Sequence, residues 1–108
     1  EIATAVQYNV NPIMIISDNS MYGTIGMHSY VRYPDKPFMA GTKLTNPDFA
    51  AWARSFGAEG ITIRDETEVA ENIEKAFNIE GKPVVVHCHT SALQMSAWRK
   101  YERSETLI

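Results

Sequence analysis

A short polar segment that follows an apolar stretch carries the strongest chemical signal in the chain. Pro12–Ser17 is largely apolar, and Asp18-Asn19-Ser20-Met21-Tyr22 comes directly after it. Carboxylate and amide oxygens are hard donors of the kind that Mg²⁺ prefers. A helix that opened at Ser20 or Met21 would also present free backbone N–H groups to an anion such as a diphosphate. From spacing alone, a plain turn in which a side chain bonds to the nearby backbone is the simpler interpretation.

A second group with metal-binding residue types is His87-Cys88-His89, which ends another apolar stretch. Side chains alternate along a strand, so both imidazoles would lie on one face and the Cys88 thiol on the other. No further ligand at metal-binding spacing is evident in the sequence. We therefore interpret these residues as a buried cysteine between polar strand-end side chains.

Alternating strands and helices must position both groups. Apolar stretches typical of parallel strands buried on both faces predict strands at Pro12–Ser17 and Pro83–His87, and a third strand is predicted at Glu59–Arg64. Helical patterns precede, separate and follow these strands. Such alternation predicts the α/β class, with one domain over residues 1–108 that holds part of a doubly wound parallel sheet and helices on both of its faces. Ligands of such sheets bind beyond the carboxyl ends of the strands.

Local signals predict the helices and their ends. The first helix should end at Asn9, which tolerates the left-handed conformation, and a short helix is predicted at Met21–His28. Asn46 is the expected N-cap of the next helix, and Asp65 or Thr67 that of the one after it. The predicted buried faces are Phe49, Trp52, Ala53 and Phe56 for the former helix and Val69, Ile73, Ala76 and Phe77 for the latter. A last helix is predicted from Leu93, Ala97, Trp98 and Tyr101.

Composition and charge exclude several classes of protein. Apolar content of 44% and charged content of 21% are typical of a folded domain and unlike a disordered chain. The net charge of −3 offers no basic surface for nucleic acid, and no apolar run approaches the roughly 20 residues that span a bilayer. We therefore expect neither nucleic acid nor a membrane as a partner. The single cysteine fits a reducing compartment, and we expect a cytoplasmic protein.

Three segments resemble thiamine-diphosphate (ThDP) enzymes related to acetolactate synthase. Residues 18–28, Asp-Asn-Ser-Met-Tyr-Gly-Thr-Ile-Gly-Met-His, resemble the family's Asn-Asn-x-x-Tyr-Gly-Thr-Ile-x-x-His stretch. Residues 46–58 resemble its Asn-Pro-Asp-Phe segment with the later Phe-Gly-Ala, and residues 1–8 resemble the helix after its Gly-Asp-Gly. Order and spacing agree from Glu1 to His87. The chain therefore resembles the ThDP-binding fold of this family from just after the Gly-Asp-Gly onward, truncated on its N-terminal side.

The resemblance implies a site for ThDP and Mg²⁺. In the family, the Asp of Gly-Asp-Gly, the second Asn of the later pair and a backbone carbonyl two residues further on hold Mg²⁺, which bridges the diphosphate. By position, Asn19 and Met21 match the last two of these metal ligands. The cofactor-binding residues that the resemblance implies are Asp18, Asn19, Met21, Tyr22, Gly23 and Thr24. It assigns no catalytic residue to this chain.

The chain departs from the family's pattern at several positions. Asp18 replaces the first Asn and adds a negative charge near the diphosphate, Ser20 replaces a frequent Gly, and Gly26 replaces the usual Arg. The chain contains no Gly-Asp-Gly, and the glutamate that activates the cofactor in this family belongs to a different domain. We therefore expect the 108 residues alone to be inactive.

The resemblance implies a lyase or transferase that acts on a 2-keto acid, by decarboxylation or by acyl or aldehyde transfer, as a homodimer or homotetramer. The cofactor would carry the carbanion chemistry, and this chain would anchor the metal and the diphosphate. The alternative is a non-enzymatic, receiver-like signalling domain with Asp18 as phosphoacceptor. Such a domain requires a Lys-Pro pair after a late strand, whereas Lys82-Pro83 precedes its strand.

Overall fold

The computed structural model describes residues 1–37 and 39–101, and the chain folds into two compact units. The first unit contains Glu1–Asp18 and Pro47–Thr90, and the second contains Asn19–Asn46 and Ser91–Ile108. The assignment of residues 1–108 to part of one ThDP-binding domain stays a prediction.

A three-stranded parallel sheet forms the centre of the first unit. Strands β1 (Ile13–Asp18), β2 (Glu59–Ile63) and β3 (Val84–His89) lie in the order β1-β3-β2. The three predicted strands are confirmed, although β1 and β3 extend beyond their predicted ends. Parallel pairing of β1 with β3 continues to the last residues of both strands, where Asp18 is opposite His89.

Helices cover both faces of this sheet, as the alternation predicts. Helices α1 (Ile2–Gln7) and α3 (Phe49–Ser55) pack on one face, and α4 (Val69–Asn78) packs on the other. The first face buries Ile2, Ala53, Ala58 and Val85, and the second buries Ile61, Ile63, Ala76, Val84 and Val86. The central strand β3 therefore contributes to both cores, which confirms the α/β class and the helix-covered parallel sheet.

The predicted buried face of α3 is confirmed for Ala53 and wrong for Trp52 and Phe56. Ala50 and Ala53 are fully buried, whereas Trp52 and Phe56 are 45% and 38% exposed. A Cβ added to Gly60 would overlap the backbone carbonyl of Ala50, so α3 lies directly against β2. Only small side chains fit in so narrow a gap, and the larger aromatic side chains lie beside it.

The predicted buried face of α4 is also wrong in part. Ala76 is buried and Ile73 packs against the core, but Val69 is 43% and Phe77 73% exposed. A ten-residue helix covers a three-stranded sheet with a narrow stripe, so the residues that flank this stripe remain exposed.

Helix ends follow the local signals with some shifts. Asn9 has φ 54°, as predicted for the end of the first helix. Asp48, rather than Asn46, caps α3 by accepting a hydrogen bond from the Ala51 N–H at 2.9 Å. Asp65 caps a short 3₁₀ turn, Glu66–Glu68, that leads into α4.

The second unit contains α2 (Gly23–Arg32) and an antiparallel pair, β4 (Gln94–Ser96) and β5 (Arg99–Lys100). The helix predicted from Leu93 to Tyr101 is therefore wrong. The N–H of Tyr101 donates to the Leu93 carbonyl at 2.9 Å, which closes the hairpin. Trp98 is 91% exposed, so the helix-like spacing of these apolar residues does not reflect a buried face.

Among the residues that the structure describes, no helix has the length and apolar character required to cross a membrane.

Candidate functional site

The start of α2 borders an open cleft in the second unit. The cleft has a volume of about 360 Å³ and is lined by Met21, Tyr22, Gly23, Thr24 and Ile25. Within the described chain, no side chain caps the start of α2. The first-turn N–H groups of a helix have no partner within the helix, so an anion in the cleft would meet backbone donors and the positive end of the helix dipole.

The helix opens later than predicted. Tyr22 is its N-cap, so the helix starts at Gly23 rather than at Ser20 or Met21. Ser20 has a left-handed φ of 56°, and Met21 pairs with Lys43 in an isolated antiparallel bridge. The left-handed backbone at Ser20 and the bridge at Met21 prevent a helical conformation at these residues, and the helix begins after Tyr22. The departure from the family's frequent Gly thus places a serine at a position that requires positive φ.

Asn19 forms the turn that spacing alone predicts. Its side-chain oxygen accepts a hydrogen bond from the Met21 N–H at 3.2 Å. An amide oxygen has two lone pairs, so this bond leaves one for another partner. A Cβ on Gly23 would lie 2.8 Å from the Asn19 amide nitrogen, so the absence of a side chain at position 23 leaves the space that the amide occupies.

A smaller cavity of about 90 Å³ lies beside the same turn. It is lined by Asn19, Ser20, Met21, Thr42, Lys43 and Ala92. Backbone bonds hold the two segments together, from the Tyr22 N–H to the Thr42 carbonyl at 2.7 Å and from the Leu44 N–H to the Ser20 carbonyl at 2.8 Å. Lys43 brings a cation to this cavity that sequence reasoning missed, because nothing local links it to residue 21.

The second unit therefore fits a metal-bound diphosphate. It offers an amide oxygen at Asn19, backbone at Met21, a glycine at the helix start and an uncapped helix end within its described residues. Oxygen donors suit Mg²⁺, and helix N–H groups suit phosphate oxygens. The structure brings together five of the six predicted cofactor-binding residues: Asn19, Met21, Tyr22, Gly23 and Thr24.

The sixth predicted residue, Asp18, belongs to the first unit and has a different environment. Its side chain is buried, and its Oδ2 lies 2.8 Å from Nε2 of His87, which is also buried. His89 stacks on His87 with ring centroids 4.2 Å apart. The carboxylate is 6% exposed and paired with an imidazole, which disfavours the role of phosphoacceptor in the receiver-like alternative.

Sequence reasoning missed this cluster of Asp18, His87 and His89. It correctly placed the two histidines on one face with Cys88 on the other, where Cys88 packs against the α4-side core. It found no third ligand because Asp18 is distant in sequence and meets the histidines only through the pairing of β1 with β3. Burial lowers the pKa of His89, and the nearby His87 and Arg64 act in the same direction, which favours the neutral form of its ring.

Comparisons with known proteins agree with the resemblance. Residues 1–88 match the family described as "Thiamine pyrophosphate enzyme, C-terminal TPP binding domain". The chain is 31% identical to the acetolactate synthase large subunit of Haemophilus influenzae over 87 aligned residues. These residues are 80% of this chain and 15% of that protein. It is 34% identical over 86 residues to a putative thiamine pyrophosphate-containing protein, YdaP, of Bacillus subtilis, which covers 80% of this chain and 14% of that protein.

A more distant relative is the mitochondrial acetolactate synthase catalytic subunit of Aspergillus candidus. It is 28% identical over 81 residues, which cover 75% of this chain and 11% of that subunit. The chain thus spans about one seventh or less of the length of these curated relatives.

Proposed function

Because the chain belongs to the family of C-terminal thiamine-pyrophosphate-binding domains of thiamine pyrophosphate enzymes, we propose that it anchors Mg²⁺ and the diphosphate of ThDP in an acetolactate-synthase-like enzyme. The observation that carries this proposal is the cleft at the start of α2, lined by Met21–Ile25 and bordered by the Asn19 turn. The metal ligands in this chain are the Asn19 side-chain oxygen and the Met21 carbonyl.

The residues of this chain bind and orient rather than react. The N–H groups at the start of α2 donate to diphosphate oxygens, and Gly23 allows the backbone to approach them closely. The turn from Asn19 to Met21 fixes the direction of the amide oxygen. Lys43 lies on the wall of the smaller cavity beside the same turn, and its positive charge would favour an anion bound nearby. When bound, ThDP supplies an electron sink for carbanion chemistry on a 2-keto acid.

The wider activity is part of the same proposal. The enzyme decarboxylates a 2-keto acid or transfers an acyl or aldehyde group from it, in the cytoplasm, as a homodimer or homotetramer. Residues 1–108 supply the C-terminal part of its ThDP-binding domain. Without the Asp of a Gly-Asp-Gly and the activating glutamate, the 108 residues turn over no 2-keto acid.

Calorimetry with ThDP and Mg²⁺ on the full-length enzyme tests the assignment. Asn19→Ala removes one of the few protein ligands of an ion that demands near-ideal octahedral geometry, so ThDP affinity should fall by roughly 10- to 100-fold while folding is retained. Met21→Leu should bind nearly as tightly as the wild type, because its backbone carbonyl is unchanged. His28→Ala, an exposed position on α2, is the matched control. Equal affinity of Asn19→Ala and wild type would overturn the metal-ligand assignment.

A further inference from the structure

Three side chains converge where β1 and β3 end in the first unit. His87 and His89 are two residues apart on β3 and therefore point to the same face of the sheet. Parallel pairing aligns Asp18, the last residue of β1, with His89. One donor atom from each of the three side chains lies within 4.8 Å of the other two. The arrangement results from the strand register, and Phe49 supports it by packing edge-to-face on the His87 ring at 5.0 Å.

Two imidazole nitrogens in this cluster make no hydrogen bond with the described part of the protein. His87 Nδ1 and His89 Nε2 are buried, and neither has a hydrogen-bond partner among the described residues. His87 is only 2% exposed, so its ring is shielded from bulk solvent. An unsatisfied buried polar atom destabilises the fold, and native structures contain few of them. Of the two, His89 Nε2 lies in the ring that stacks on His87, and it indicates a ligand that can accept an imidazole lone pair.

We propose that Asp18, His87 and His89 form a binding site for a divalent first-row transition-metal ion of the Zn²⁺ class. Two imidazoles and one carboxylate are a donor set that Zn²⁺ binds well, whereas Mg²⁺ prefers oxygen donors throughout. The site lies entirely within the first unit, so it does not depend on the proposed ThDP site.

The geometry requires only small movements. Ligand atoms on a tetrahedral Zn²⁺ are ~3.3 Å apart, given metal–ligand distances of about 2.0–2.1 Å. The contact of 2.8 Å between Asp18 Oδ2 and His87 Nε2 is slightly shorter than this separation, and the limit of 4.8 Å for the cluster is longer. In this arrangement His87 would bind the ion through Nε2, and side-chain shifts on the order of 1 Å would bring the three donors to a common ion. Three protein ligands leave a fourth position for water or another small ligand.

Cobalt substitution tests the site directly. The full-length enzyme, freed of metals by a chelator and then saturated with Mg²⁺, is titrated with Co²⁺ alone, and Zn²⁺ is then added as a competitor. We expect visible d–d absorption of low-symmetry Co²⁺ at one equivalent per chain, displaced by Zn²⁺. His89→Ala should weaken Co²⁺ binding at least about 100-fold, because loss of a direct ligand should cost no less than loss of its supporting partners. The absence of Co²⁺ absorption in the wild type would overturn the proposal.

Two matched variants separate this site from other metal sites. His28→Ala removes an exposed histidine and should leave Co²⁺ binding unchanged, as should Asn19→Ala, which alters the proposed Mg²⁺ ligand. Binding that persists in His89→Ala, or that is lost in Asn19→Ala, would place the ion elsewhere and refute the assignment. If circular dichroism shows that His89→Ala is unfolded, imidazole ¹⁵N shifts of the wild type decide instead. Zn²⁺ should then move the resonances of His87 and His89 but not that of His28, and the reverse pattern would refute the site.

Discussion

Gly23 determines how much space the Asn19 amide has. A Cβ at this position would lie 2.8 Å from the amide nitrogen, closer than real Cβ contacts allow. The amide is the end of a side chain and would move, whereas the helix backbone would not. Gly23 is the first residue of α2, where alanine has helical backbone preferences at least as good as those of glycine. Substitution at this position therefore perturbs the proposed metal ligand without threatening the fold.

We expect Gly23→Ala to weaken ThDP and Mg²⁺ binding by the full-length enzyme roughly 10- to 100-fold, the range seen when groups that orient a metal ligand are altered. Its melting temperature without cofactor should stay equal to or above that of the wild type. Calorimetry and thermal denaturation check the two expectations separately. His28→Ala on the same helix is the control. Unchanged cofactor affinity in Gly23→Ala would show that the Asn19 amide does not need its present position.

The N-cap of α3 gives a pH-dependent prediction. The hydrogen bond from the Ala51 N–H lowers the pKa of the Asp48 carboxyl below its ordinary value of 3.8. A group whose pKa is lower in the folded state stabilises the fold above its unfolded pKa, and this contribution is lost as pH falls through the folded pKa. Asp48→Asn keeps a cap oxygen but removes the titration. The wild type should therefore lose more stability than Asp48→Asn as acid is added below about pH 4, in urea denaturation at a series of pH values.

Asp65 serves as the internal comparison for this experiment. Hydrogen bonds from Thr67 lower the pKa of Asp65 in the same direction, so both proteins retain that part of the acid response. Parallel pH profiles of wild type and Asp48→Asn would show that the α3 cap contributes nothing that depends on its charge.

The close approach of α3 to β2 depends on Gly60. A Cβ there would overlap the Ala50 backbone carbonyl, which cannot move without shifting the whole of α3. We expect Gly60→Ala to lower the free energy of unfolding by about 3 kcal/mol or more, at the upper end of the range for overpacking. Gly81→Ala is the matched comparison, because Gly81 has φ 76° and no neighbouring atoms within 4 Å. Its cost should be only the ~1 kcal/mol of an unfavourable backbone conformation. Equal losses for the two variants in chemical denaturation would contradict the crowding argument.

The positions of helices and strands were easier to predict than which of their side chains are buried. The strand at residues 13–18 and the left-handed Asn9 that follows α1 are consequences of local chemistry, since apolar runs and backbone preferences act over a few residues. The aromatic side chains of α3 illustrate the limit, because their exposure depends on how close the helix lies to the sheet. The hairpin that replaces the predicted last helix shows the same limit, since helical spacing alone does not establish that a face is buried.

At the scale of the molecule, one candidate site is contiguous in the sequence, and the other is assembled by strand pairing. The turn from Asn19 to Met21 and the nearby helix start are contiguous in the chain, so the sequence predicts both, although it places the helix start two or three residues too early. The cluster of Asp18, His87 and His89 could not be found, because it depends on the strand order β1-β3-β2. That order is a property of the folded sheet, and only there does the end of β1 lie beside the end of β3.

The outer edge of strand β1 leads to a prediction about self-association of the chain. In the described part of the chain, β1 pairs only with β3, so its other side is an unpaired edge, and Ile15 is 60% exposed. An exposed, apolar edge strand is a template for pairing with another chain, and natural proteins protect such edges with charged residues. Sedimentation velocity on the 108-residue chain should therefore show concentration-dependent self-association.

Ile15→Lys should weaken that association at least about tenfold, because like charges brought together at an interface cost several kcal/mol and 1.4 kcal/mol already corresponds to tenfold. Ala70→Lys, which places the same charge at an exposed position on α4, should leave it unchanged. Circular dichroism on both variants verifies that the fold is retained. A chain that sediments as a monomer at every concentration and melts cooperatively at high temperature would contradict the edge argument, and so would an Ile15→Lys variant that associates as strongly as the wild type.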